Sequence, residues 1–348
     1  MLPTPHAHPW YNRSHHASDG TYRNPDRTAQ PAALLEVAPW IARRAFQAKQ
    51  NIPPPVRPID RDALRRPPAG LRITWIGHAT LLVQGPDCAV LTDPMFSPRA
   101  SPFSWTGPER LPALPLAIDD LPPVDVVLHS HDHYDHLDVA SVRALQARFD
   151  PLFLTPLGLD ARLHDWGIDR VVAADWGQYV DAAGWRFHCT PAQHFSGRGL
   201  FDRNTTLWAS WHIEPHAATT PSLFFAGDTG LADHFAGIRE RLGAPDVACL
   251  PIGANRPRRI MRPVHLNPAE AMEALCTLGA RRLVPIHWGT FDLADEPVQE
   301  PGARLRTLAA ERDVAAQVHL LDIGEMVDVA PPSDAPPSSA PQRPAASP

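Results

Sequence analysis

Four apolar, strand-like runs in this chain end in histidine or aspartate. VDVVLHS runs into HDHYDHLD, SLFFAG into Asp228, RLVPI into His287, and the segment around FHCTPAQ leads to His194. Further strand-like runs are LRITWIG, TLLVQ, AVLTDP, TLWASWHIE, VACLPIG and VHLLDIG, and helical patterns lie between them: DVASVRALQARF, LADHFAGIRERLG, NPAEAMEALCTLG and EPGARLRTLAAERD. Asp138 is placed to cap the first of these helices, and Asn267 followed by Pro268 the third. Alternating strands and helices predict an α/β fold with two sheets covered by helices. In such folds the loops beyond the strand ends are where ligands bind.

Within HDHYDH, residues two apart in extended backbone project to one side, so His131 and His133 can reach one cation together. A turn at Tyr134–Asp135 would swing Asp135 and His136 towards a second cation about 3.5–4 Å away. Neutral imidazoles and carboxylates are the ligands that zinc takes, and manganese or iron accept the same set. Taken singly, His194, Asp228 and His287 could be ordinary surface or core residues. Joined to HDHYDH they complete two coordination shells, with glycines beside Asp228 allowing close approach.

The rest of the chain divides into three regions. Residues 1–69 form an N-terminal arm, a candidate interfacial helix and a Pro-rich linker (IPPPVRP); residues 70–330 form the catalytic body; residues 331–348 read as a disordered Pro/Ser/Ala tail. In segment 31–50 the apolar stripe Leu34, Ala38, Ile41 and Ala45, interrupted by Pro39, is expected to pack on the protein's own core. The alternative is a membrane-surface helix with Trp40 and Arg43–Arg44 at the interface. A net charge of −6 argues against a nucleic-acid partner that needs a broad basic surface. Cys88, Cys189, Cys249 and Cys276 show no paired spacing and are expected as reduced thiols. The opening residues hold no apolar run of signal-peptide type, and no stretch of about 18 apolar residues occurs. A cytoplasmic setting is the expectation.

HDHYDH matches the H-x-H-x-D-H signature of the metallo-β-lactamase superfamily, with His194, Asp228 and His287 following in that superfamily's order. The longer motifs WIGHAT, LTDPMFSPRASPFSWTGPER, LPPVDVVLHSHDHYDHLD, TPAQHFSGRG, LWASW, FFAGDTG, H-x-N-P-x-E-A and IHWGTF closely resemble the N-acylphosphatidylethanolamine-hydrolysing phospholipase D family, over about residues 70 to 295. The resemblance implies an αβ/βα sandwich with two Zn2+ at its mouth. His131, His133 and His194 would hold one ion, Asp135, His136 and His287 the other, and Asp228 would bridge them. His78 and Asp93 would orient ligand imidazoles. Asp135 and His265 are the implied catalytic residues, and Arg258 and Tyr134 the implied substrate contacts. The implied activity is hydrolysis of a phospholipid head-group phosphodiester to phosphatidic acid and an N-acylethanolamine, with peripheral contact at the inner face of the membrane and a homodimer as further expectations.

Rival readings are a soluble hydrolase of phosphorylated lactones or small phosphoesters, and an inactive lipid-binding scaffold. A β-lactamase is disfavoured, because zinc β-lactamases carry a cysteine where Asp228 stands.

Overall fold

The structure, a computed structural model, describes residues 2–44 and 49–330. The predicted tail, 331–348, lies outside the described residues.

The chain opens with β1 (His6–Ala7), followed after two short helices, α1 (Leu34–Arg44) and α2 (Arg61–Arg65), by β2 (Leu71–Gly77), β3 (Thr80–Gln84), β4 (Ala89–Thr92) and β5 (Val126–Leu128). Helix α3 (Val139–Phe149), β6 (Leu152–Pro156), α4 (Leu159–Asp165) and β7 (Val171–Ala174) complete the first half. The second half contains β8 (Gln178–Ala182), β9 (Trp185–Thr190), β10 (Ser210–Pro215), β11 (Leu223–Phe225), α5 (His234–Leu242) and β12 (Val247–Pro251). It ends with α6 (Arg258–Met261), α7 (Pro268–Leu278), β13 (Arg282–Ile286), α8 (Glu300–Glu311) and β14 (Met326–Val329).

Two seven-stranded mixed sheets result, in the orders β14-β2-β3-β4-β5-β6-β7 and β1-β8-β9-β10-β11-β12-β13. Their central strands, such as β5, β6, β11 and β12, are buried along their whole length because both faces are covered. In β5, Val126 and Leu128 face the core between the sheets, while Val127 packs outward with Val142 and Leu145 of α3. On the other sheet, Phe235 of α5 and Leu275 of α7 join the same apolar body as β11 and β12. The predicted caps form: Asp138 accepts from the Ser141 N–H, and Asn267 and Glu270 make a reciprocal capping box at α7.

Two expectations need correction. VHLLDIG carries isolated bridges at Val318 and Ile323 rather than a strand; the strand β14 follows it. Helix α1 forms through Pro39, but Ala38 and Ile41 of the predicted inner stripe face outward, Ile41 being 55% exposed. Val37, Trp40 and Arg44 turn inward instead. The Trp40 indole packs on Ile260 and Met261 and donates to Asp295 Oδ1 at 2.7 Å, a larger buried surface than the small residues offer.

Candidate metal centre

The ends of both sheets converge. β5 delivers the 129–138 loop, and β9, β11 and β13 lead to His194, Asp228 and His287. The His136 and Leu137 N–H groups both donate to His133 O, at 3.0 and 2.8 Å, closing the predicted turn. His131, His133 and His194 form one group, with His133 Nδ1 lying 2.9 Å from His131 Nε2 and 3.2 Å from His194 Nε2. Asp135, His136 and His287 form another together with His78, Asp135 Oδ2 lying 3.4, 3.3 and 2.8 Å from their respective Nε2 atoms. Asp228 touches both groups: its Oδ2 is 3.1 Å from His287 Nε2, 3.3 Å from His136 Nε2 and 3.8 Å from His194 Nε2.

The hydrogen bonds around the rings reveal which nitrogens carry protons. Ser130 Oγ bonds to Asp93 Oδ2 at 2.5 Å and faces His131 Nδ1 at 2.9 Å, so that Nδ1 is the donor. His194 Nδ1 donates to Val264 O and His136 Nδ1 to Asp93 Oδ2, at 2.9 and 2.7 Å. In His131 and His194, which burial holds well below the usual imidazole range, Nε2 is therefore a bare lone pair aimed into the cluster, whereas in His136 burial is outweighed by Asp228 and Asp135, which raise that ring well above it. His136 Nε2 and Asp228 Oδ1 are buried with no hydrogen-bond partner. Polar atoms left without partners away from water are unfavourable, and cations would supply what is missing. The all-N/O donor set fits a pair of divalent ions.

The electrostatics divide the same way. Burial, then the neighbouring His136, His133 and His194, holds His131 well below the usual imidazole range. Burial also opposes charge on His287, but Asp228 and Asp135 outweigh it and raise this ring to about 9. One side is an assembly of neutral nitrogens; the other is carboxylates drawing positive charge to themselves.

The supporting residues are rigidly built. His78, Asp93 and His287 adopt left-handed backbone (φ 53°, 33° and 59°), strained for residues other than glycine. Asp93 accepts from the Ser130 N–H at 2.7 Å as well as from His136. Gly227, at φ +58°, lies so close to Ser130 that an added Cβ would stand 2.4 Å from the serine Cβ. His265 reaches the cluster, its Nδ1 3.7 Å from Asp228 Oδ2.

Arg258 does not join it. Its guanidinium is engaged by both Glu270 oxygens, at 2.7 and 2.6 Å, and by the His265 and Asn255 carbonyls. It thus holds the backbone of His265 and the start of α7. Tyr134 borders the ligands, with the Arg198 guanidinium 3.8 Å above its ring. Sequence reasoning passed over Ser130, whose only signal was adjacency to His131, and Asn24, which hydrogen-bonds to the His194 backbone and carried no signal at all.

A separate cluster lies where the N-terminal arm meets β7. His15 Nε2 is 2.6 Å from Asp175 Oδ1, and His16 Nε2 and Tyr11 Oη are 2.8 and 2.9 Å from Oδ2.

Comparisons with known proteins agree with this architecture. Residues 88–288 match the model of the β-lactamase superfamily domain. An uncharacterized protein of Mycobacterium tuberculosis is 43% identical over 263 residues, covering 74% of this chain and 68% of its own length. The N-acyl-phosphatidylethanolamine-hydrolyzing phospholipase D 1 of Caenorhabditis elegans is 37% identical, covering 74% of this chain and 76% of its own. Among solved structures, an isothiocyanate hydrolase from Delia radicum gut bacteria shares the fold at TM-score 0.60 and 22% identity, over 74% of this chain and 99% of its own. With its two mixed sheets and its paired ligand groups, the chain is a metal-dependent hydrolase of the metallo-β-lactamase superfamily, in the family that includes the nematode phospholipase.

Proposed function

We propose that the protein is a zinc-dependent phosphodiesterase that hydrolyses an N-acylated phospholipid head group, yielding phosphatidic acid and an N-acylethanolamine. The observation that carries this reading is Asp228, whose single Oδ2 reaches imidazoles of both ligand groups, as a bridge between two cations requires. The similarity to the nematode enzyme supports the choice of substrate.

His131, His133 and His194 would hold one ion and Asp135, His136 and His287 the other, with Asp228 shared. When bound, the ions supply Lewis acidity towards a phosphoryl oxygen and lower the pKa of water. Asp93, Ser130 and the Val264 carbonyl fix the ligand rings through their Nδ1–H groups. His78 holds Asp135. Burial, partly opposed by Asp228, pushes His265 down to about 4, so this ring is neutral near pH 7 and offers an N–H to a phosphoryl oxygen. Overall, water adds across the P–O bond to the ethanolamine: the hydroxyl remains on phosphorus and the proton leaves on the alcohol.

Exposed apolar side chains support contact with a bilayer. Leu35 is 88% and Phe201 96% exposed, with Leu200, Phe103 and Trp105 also outward. Among the described residues no helix is long and apolar enough to cross a membrane.

The test is a substrate panel with zinc-loaded protein: vesicles of N-acylphosphatidylethanolamine, a sugar-phosphate lactone and a soluble phosphodiester, read by mass spectrometry. Release of N-acylethanolamine with phosphatidic acid is expected. Turnover of the lactone alone, or of nothing, would overturn the reading.

A further inference from the structure

His194 sits in a stretch, 191–196, that belongs to no strand or helix. Its peptide groups are buried and must find partners outside a regular ladder. Both partners come from a single side chain 170 residues away. The Asn24 amide donates from Nδ2 to His194 O at 2.7 Å, and its Oδ1 accepts from the His194 N–H at 2.9 Å. Asn24 thus does for His194 what a neighbouring strand would do. It is itself 4% exposed, and its Oδ1 also takes the Trp208 indole N–H at 3.1 Å, which leaves the amide one orientation.

The arm around Asn24 is fastened on both sides. Downstream, Gln193 accepts from the Asp26 N–H at 3.0 Å and donates to the Asp26 and Ala29 carbonyls at 3.0 and 2.8 Å. Upstream, His15, His16 and Tyr11 converge on Asp175, and β1 pairs with the edge of the second sheet. With the Val264 carbonyl holding Nδ1, the His194 ring is fixed at its backbone and at its far nitrogen, which aims Nε2 into the cluster.

We infer that Asn24 is a positioning residue for the His194 side of the metal centre, so that the N-terminal arm is part of the catalytic apparatus. This rests on the reading of His194 as a ligand. Groups that orient metal ligands change affinity by about 10–100-fold when removed.

The experiment uses the full-length protein and the variants Asn24→Ala, Asn24→Ser and His194→Ala. Zinc affinity is measured by chelator competition, the visible spectrum is recorded after cobalt substitution, and the fold is followed by circular dichroism. Both Asn24 variants are expected to bind one of the two ions about 10–100-fold more weakly, with the other unchanged, an altered cobalt spectrum and native secondary structure. Wild-type affinity for both ions and a wild-type spectrum would overturn the inference. So would equal weakening of both ions together with a lowered melting temperature, which marks a purely structural role. The serine variant leaves a hydroxyl for the exposed peptide groups and decides the matter if the alanine variant fails to fold; failure of both assigns Asn24 to the fold and overturns the inference. If His194→Ala keeps both ions at wild-type affinity, it is the ligand reading that has failed.

Discussion

The centre around Asp228 and the cluster around Asp175 contain the same kinds of group, and in each a set such as His194, Asp228 and His265, or His15, His16 and Asp175, brings its nitrogen and oxygen atoms within 4.8 Å of one another. Their hydrogen bonding separates them. At Asp175 each carboxylate oxygen receives two donors: the Trp176 N–H and His15 on Oδ1, Tyr11 and His16 on Oδ2. Arg13 donates to His16 Nδ1 at 3.2 Å, which assigns the proton to the Nε2 that faces Asp175. No buried side-chain nitrogen or oxygen of that cluster is left without a partner. At Asp228 the imidazoles bond outward through Nδ1 to Ser130, Val264 and Asp93 and turn Nε2 inward, leaving His136 Nε2 and Asp228 Oδ1 orphaned. A set of metal-type residues is therefore not a metal site until its protons are counted; one cluster is a latch and the other a socket.

The largest expected effect breaks the socket. Asp228→Ala or His133→Ala should lower turnover by at least about 10³-fold with the fold retained, since binuclear hydrolysis depends on the ions. Near-normal rates in either variant would dissolve the contrast. Metal analysis comes next: the zinc-loaded protein should hold two ions per chain, and a third bound at His15 and His16 would refute the latch. Asp175→Asn should leave the metal content unchanged but lower stability by about 1–3 kcal/mol in denaturant titration, because buried donors lose their acceptor.

His234 gives the smallest and sharpest contrast. It is buried without a carboxylate partner, and burial pushes it down to about 3. Below about pH 6.5 the unfolded chain takes up a proton that the folded chain refuses. Stability present above that pH should therefore fall towards pH 3, at about 1.4 kcal/mol per pH unit. Other buried histidines, His78 and His129 among them, add slopes of their own, so in chelator-treated protein His234→Gln should lower the total slope by this one share; an unchanged slope would contradict the assignment.

The legible parts of the molecule are those whose physics is local. HDHYDH could be interpreted because an extended pair and a turn lie within six residues, and Asp138 and Asn267 because caps act over three. The short strands β6 to β8 were not separately assigned, since brief runs do not distinguish strand from buried helix. The α1 stripe misled because apolar spacing does not reveal that Trp40 would find Asp295 across 255 residues. Asn24 was invisible for the same reason, and Arg258 looked available because Glu270 lies one helical turn into α7, where only the folded chain brings the two together.

The seven proposed ligands are drawn four from the loop after β5 and three from the ends of the opposite sheet. Seated ions would therefore rivet one leaf of the sandwich to the other at its open margin. How firmly the leaves stay shut then depends on free metal in the surroundings, by mass action. Scarcity would loosen this seam first and leave the apolar interior behind it closed.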